Sequence, residues 1–172
     1  MKILYSLVNK IRKITKEFNR KKCFREYADI HRVVILFDLE NAEVVKDLAK
    51  SLKFSGKEVF SYTFNPKAKD EGPVLPDNFT MLNRKNLTFN GLPQKQVMEN
   101  YKSLCPDTLI DLTIQPHPVL QYLSLKSDAS FRVGFHKEEK AIDDLLLEYD
   151  PGQSFVFLTS QLHFYMKSLR AK

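Results

Sequence analysis

Val33-Val34-Ile35-Leu36-Phe37 is an unbroken run of β-branched, aliphatic and aromatic residues, the pattern of a strand covered on both faces, as in a parallel sheet. Ala42, Val45, Leu48, Ala49 and Leu52 then recur at helical spacing, with Asn41 placed to cap the helix and Gly56 to end it. Glu58 to Phe64 predicts a second strand and completes a β-α-β unit. Residues 65–78 carry Pro66, Gly72, Pro73 and Pro76 among charged residues and predict a loop. Phe79 to Leu82 predicts a short strand and residues 83–93 another loop. Val97, Met98, Tyr101, Leu104 and Cys105 mark a core-facing helix. Thr108 to Thr113 predicts a buried strand with one acid, Asp111, inside it. Pro118 opens a helix that runs through Leu125, Phe131 to Phe135 predicts a strand, and Asp144 to Leu147 a last one. Asp150-Pro151-Gly152-Gln153 reads as a helix start capped by Asp150, followed by Phe155, Leu158, Leu162, Tyr165 and Leu169 on one face. This alternation predicts an α/β fold: a mostly parallel, doubly wound, Rossmann-like sheet with helices on both faces.

The N-terminal segment differs in kind. Leu4, Leu7, Val8, Ile11, Ile14 and Phe18 form one helical stripe, and charges fill most of the remaining circumference. The spacing predicts one basic amphipathic helix over residues 2–25, so that residues 1–28 form a helical arm on a single domain of residues 29–172. The charge distribution sharpens this division. The chain has a formal charge of +6, yet residues 1–26 alone carry nine basic and two acidic residues, leaving the rest close to neutral. Lys10, Arg12, Lys13, Lys16, Arg20, Lys21, Lys22 and Arg25 make up the basic surface. Three roles compete for it: packing of the stripe on the body with the cations in water, weak contact with an anionic membrane surface, or contact with RNA phosphates. A protein partner is open as well, and no particular one is indicated. No nucleic-acid module signature accompanies the charge.

At 172 residues and 43% hydrophobic composition, the chain is long enough to bury a core without disulfides or metal. The two cysteines, Cys23 and Cys105, lie far apart and outside any zinc-ligand spacing, and are expected to be reduced, buried and structural. No apolar run approaches the roughly 18 residues of a membrane span, and no signal-peptide pattern is present. A cytoplasmic protein, peripheral to the membrane at most, is the expectation.

In doubly wound sheets, ligands bind beyond the C-terminal ends of the strands. The polar residues expected there are Asp38, Asn41, Asn65, Asp111, His117 and His136, a candidate ligand-binding set. His117 and His136 could act as bases if Asp38 or Asp111 converged on them. A buried Asp111 must otherwise find a local partner. Phosphate is disfavoured: the turn Phe37-Asp38-Leu39-Glu40-Asn41-Ala42-Glu43 holds three acids and none of the glycines that let backbone amides approach a pyrophosphate. No complete catalytic motif, cofactor fingerprint or metal-ligand cluster is found. The expectation is a non-enzymatic binding or scaffold module. The alternatives are a small-ligand-binding protein or enzyme, and an RNA- or membrane-surface-associated protein acting through residues 1–26.

Residues 107–136 add a resemblance. Asp107-Thr108-Leu109-Ile110-Asp111-Leu112, a helix, and Phe131-Arg132-Val133-Gly134-Phe135 resemble the N-terminal domain of heptosyltransferase-type glycosyltransferases. Those enzymes hold the nucleotide sugar with a second Rossmann-like domain and carry a glycine-containing loop after their first strand, which this chain lacks. The resemblance therefore implies kinship with an acceptor-binding half and no transferase activity on its own. Over nearly its whole length the chain is similar to a bacterial family of small α/β domains of unknown function. Members share a basic N-terminal helix, Ile35-Leu36-Phe37-Asp38 at strand one, and the loop Lys85-Asn86-Leu87-Thr88-Phe89-Asn90-Gly91-Leu92-Pro93. That similarity implies the fold and brings no activity, cofactor or site residue.

Overall fold

A computed structural model describes residues 2–17, 23–67, 74–115, 117–135 and 143–169. Six strands form one sheet among these residues: β1 (Arg32–Leu36), β2 (Glu58–Phe64), β3 (Phe79–Leu82), β4 (Thr108–Asp111), β5 (Phe131–Phe135) and β6 (Leu145–Leu147). Their order is β3-β2-β1-β4-β5-β6, and every named pair is parallel. This is the doubly wound order, with its switch point between β1 and β4. β1 and β4 are central and have apolar neighbours on both faces, which is why both read as continuous hydrophobic runs.

Successive strand residues alternate between two cores. Val33, Ile35 and Phe37 face one layer with α2 (Ala42–Phe54) and α5 (Phe155–Ser168). Val34, Leu36 and Leu109 face the other, with α3 (Lys95–Ser103), α4 (Pro118–Leu125) and α1 (Lys2–Glu17). Ile11 is buried among the α4 side chains and Ile14 packs at the edge of that cluster, so part of the basic arm's apolar stripe lies on the body. Lys10, Arg12 and Lys13 are exposed, with the Lys10 Nζ 5.9 Å from the Tyr122 ring centre. The side chains of Leu4, Leu7 and Lys16, and all of Phe18, Arg20, Lys21 and Lys22, lie outside the described residues.

Several local expectations change. The helix expected over residues 2–25 has ended before Cys23, where the chain is irregular and the Cys23 amide donates to Asp144 Oδ1 at 3.1 Å. Arg25 is half-buried, its Nε donating to Ser130 Oγ at 2.9 Å. Ser154, not Asp150, caps α5, accepting from the Phe157 amide at 3.2 Å. Asp150 instead accepts from the Gly152 amide at 2.8 Å, an Asx turn that uses up its capping oxygen. Cys105 is exposed rather than buried: α3 ends at Ser103, two residues earlier than the apolar spacing implies, and Cys105 takes a left-handed φ of 43° just beyond it. Cys23 is half-buried, and both thiols are free. β4 stops at Asp111, since that carboxylate turns back to bind Thr113.

The sheet also buries charge. Arg132 on β5 is fully enclosed. Its guanidinium donates to the Ser124 carbonyl at 2.8 Å and to Ser124 Oγ at 2.6 Å, and lies 3.4 Å from Asp143 Oδ1. Gly134 explains how Asp143 fits. A Cβ at that position would stand 2.9 Å from Asp143 Oδ2 and 3.1 Å from the Asp111 carbonyl oxygen, so only glycine leaves room for the acid.

Candidate functional site

The cleft at the switch point is built by three strand ends. β1 leads into Asp38, and a single 3-10 turn over Leu39–Asn41 then feeds α2. β2 leads into Asn65, whose side-chain oxygen accepts from the Lys67 amide at 3.0 Å and so shapes a tight turn through Pro66. β4 leads through Ile114 and Gln115 to His117, which precedes Pro118 at the first position of α4 and is held in extended backbone as a residue before proline must be. Asp38, Glu40, Asn65, Lys67, Gln115 and His117 line the resulting cavity of about 270 Å³, with Phe64 and Leu120 as its apolar wall.

Two acids that could have partnered a histidine are committed elsewhere. Asp38 Oδ2 accepts from the Ile114 amide at 2.7 Å and more weakly from Gln115 at 3.4 Å, latching the end of β1 to the β4–α4 connection. Asp111 is buried, and its Oδ1 accepts from the Thr113 amide at 3.0 Å and the Thr113 hydroxyl at 2.6 Å. It does not line the cleft.

His117 differs from both acids. Its ring packs on Phe64 with centroids 4.5 Å apart. Its Nδ1 is buried and finds no hydrogen-bond partner among the described residues. Burial pushes its pKa below the ordinary histidine value, so the ring is neutral at pH 7. A neutral imidazole carries one donor and one acceptor; with Nδ1 enclosed, Nε2 is the nitrogen left to meet a ligand.

Of the six candidate residues, the structure thus brings Asp38, Asn65 and His117 together and leaves Asp111 beneath the sheet end. Asn41 lies apart from the cleft lining. Its backbone, at φ −96° and ψ 12°, lacks the extended conformation of an N-cap, so its side chain makes no cap, and its Nδ2 is buried without a partner among the described residues. His136 lies outside the described residues. Phe64, Lys67 and Leu120 were not singled out from sequence. The Asn65-Pro66 turn is the one signal that could have pointed to Lys67. Among the described residues, no group of three His, Cys, Asp or Glu could hold a metal ion, and no helix is long and apolar enough to cross a membrane.

A second titratable cluster joins α5 to the segment before β1. Tyr27 Oη and His163 Nε2 are 2.8 Å apart, and Lys57 Nζ sits 4.0 Å from the Tyr27 ring centre while donating to the Tyr27 and Ile30 carbonyls. Burial lowers the Lys57 pKa, with Asp107 opposing part of the shift. Burial, then the charges of Lys167 and Lys57, push His163 down to about 4. Between pH 6.5 and about 4 the unfolded chain therefore binds a proton that the folded protein refuses, so stability falls as pH falls across this window. His163→Gln is expected to flatten that part of the profile of melting temperature against pH. An unchanged acid limb in the variant would count against the buried neutral ring.

A six-stranded parallel sheet with a polar cleft at its switch point defines a doubly wound α/β protein. Residues 4–169 match the family of unknown function DUF6913, and the chain belongs to that family. No curated protein and no solved structure matches it.

Proposed function

We propose that the protein is a non-catalytic binding module whose switch-point cleft takes a small uncharged polar ligand, of the size of a monosaccharide or an amino-acid amide. The observation that carries this reading is the imidazole of His117, neutral through burial and lining one cleft with Asn65 and Gln115. A cleft of about 270 Å³ lies just below the usual range for ligand pockets and is too small for a dinucleotide. Asp38 and Glu40 outnumber Lys67 on its wall, which disfavours phosphate. Asp38 Oδ2 and Asp111 Oδ1 each accept from a backbone amide, which argues for positioning rather than proton transfer.

The test is a calorimetric and NMR titration of the full chain with monosaccharides, amino-acid amides and nucleoside diphosphates. An uncharged compound should shift the His117 and Asn65 signals, and His117→Ala should weaken its binding about tenfold or more, the loss expected for a buried hydrogen bond. Binding of the diphosphates alone, or ligand shifts that bypass these two residues, would overturn the reading.

A further inference from the structure

We propose that the side of the protein carrying α1 and the loop before α3 binds single-stranded nucleic acid, with cations on the phosphates and Phe89 stacked on a base. Charge is unevenly shared between the two helix layers. α1, α3 and the 3-10 turn Arg84–Asn86 hold nine basic residues and two acidic ones, whereas α2 and α5 hold four and two. Ile11 and Ile14 of α1 pack into the same core cluster as Leu87, Leu92 and Val97 from the loop and α3, so both basic elements lie on one layer of the sheet. Arg12 and Arg84 are exposed there, one on each element. No Asp or Glu occurs from Asn78 to Met98, a stretch that holds three basic residues. A surface of one sign attracts a polyanion.

The loop supplies what a charge patch alone lacks. Phe89 is 85% exposed, yet the turn that carries it is braced. The Thr88 amide donates to the Leu92 carbonyl at 2.7 Å and the Gly91 amide to the Thr88 carbonyl at 2.9 Å, with Gly91 at a φ of 76°. Leu87 bridges Pro93, and Gln94 Nε2 donates to the Lys85 carbonyl at 2.8 Å. An aromatic ring held out beside cations can stack on a base, and a single strand offers the base face that neighbouring pairs cover in a duplex. A membrane fits less well. The apolar face of α1 is turned inward at Ile11 and Ile14, so it is not free to insert. Phe89 also stands between Thr88 and Asn90, exposed polar residues that lipid would have to desolvate. Neither Arg12, Arg84 nor Phe89 lines the switch-point cleft, so the two sites stand or fall separately.

Fluorescence anisotropy of a labelled oligothymidylate, and of a duplex of the same length, with the full chain at about 50 to 200 mM salt tests the proposal. Affinity should fall linearly with salt on logarithmic axes. Phe89→Ala, at an exposed position, should weaken single-strand binding about tenfold, leave duplex binding and the salt slope unchanged, and keep the melting temperature. Arg12→Gln and Arg84→Gln should each reduce the slope by about 0.7, the share of one phosphate contact on a single strand. Absence of binding at the lowest salt would overturn the proposal, as would full single-strand affinity in Phe89→Ala or a slope that neither arginine alters. So would capture of the protein by phosphatidylserine vesicles in place of the oligonucleotide.

Discussion

Replacing Arg132 with alanine is expected to cost about 3–5 kcal/mol of folding stability, the loss found when one partner of a buried ion pair is removed. The guanidinium is fully enclosed, and Asp143 beside it is nearly so. Without Arg132, the Asp143 carboxylate remains under the sheet with its countercharge gone, and the Ser124 carbonyl and hydroxyl lose the donors at 2.8 and 2.6 Å. The strands on either side hold the site open, so water reaches it only by partial unfolding. Urea unfolding measures the loss. The double variant Arg132→Met, Asp143→Ala should recover part of it, because it leaves no buried charge unpaired and adds no bulk beside Gly134. A loss for Arg132→Ala within about 0.5 kcal/mol, the range of ordinary surface substitutions, would show that the buried pair does not form.

Removal of residues 1–17 is expected to destabilise the body rather than leave it intact. Ile11 is buried and Ile14 half-buried against α4. At about 1.5–3 kcal/mol for a fully buried aliphatic side chain, the two together contribute about 2–4 kcal/mol. Truncation also uncovers Leu120, Leu123 and Tyr122, which belong to the same cluster. The truncated protein should melt at lower temperature and bind a hydrophobic dye. An unchanged melting temperature would mean that the basic helix serves a partner and not the fold, and salt would then distinguish RNA from lipid. RNA contacts weaken steeply with salt through counterion release, whereas apolar insertion into lipid is not screened.

The strands were legible because burial on both faces leaves a local mark, a short run of apolar residues such as Val33 to Phe37, or Leu109 to Leu112 broken only by Asp111. The neighbourhood of the cleft was legible for a topological reason: once β1 and β4 flank the switch point, the residues after them must meet. What the side chains do there depends on register. Asp38 reaches Ile114 only because β1 and β4 pair Leu36 with Asp111, a partnership across more than seventy residues that no local pattern encodes. The same holds for Arg132. In sequence it sits in an ordinary strand, and its burial rests on Ser124 from the preceding helix and Asp143 from the next connection. Helix starts misled for a smaller reason. Asp150 and Ser154 are both good caps, and the competing Asx turn at Asp150 decides between them. On α5 the expected stripe of Phe155, Leu158, Leu162, Tyr165 and Leu169 is off by one position near its end: Met166 is buried and Tyr165 stays 45% exposed, because four-residue steps from Leu158 and Leu162 lead to Met166.

The cleft itself is open to a direct observation. Crystals soaked in a mixture of small uncharged polyols and amides should show one of them between Phe64 and Gln115, within hydrogen-bonding distance of His117 Nε2 and the Asn65 side chain. Occupancy should be lost in crystals of His117→Ala. Fragments that settle elsewhere while the cleft stays empty, or that occupy it equally in the variant, would contradict the assignment of this cleft as the binding site.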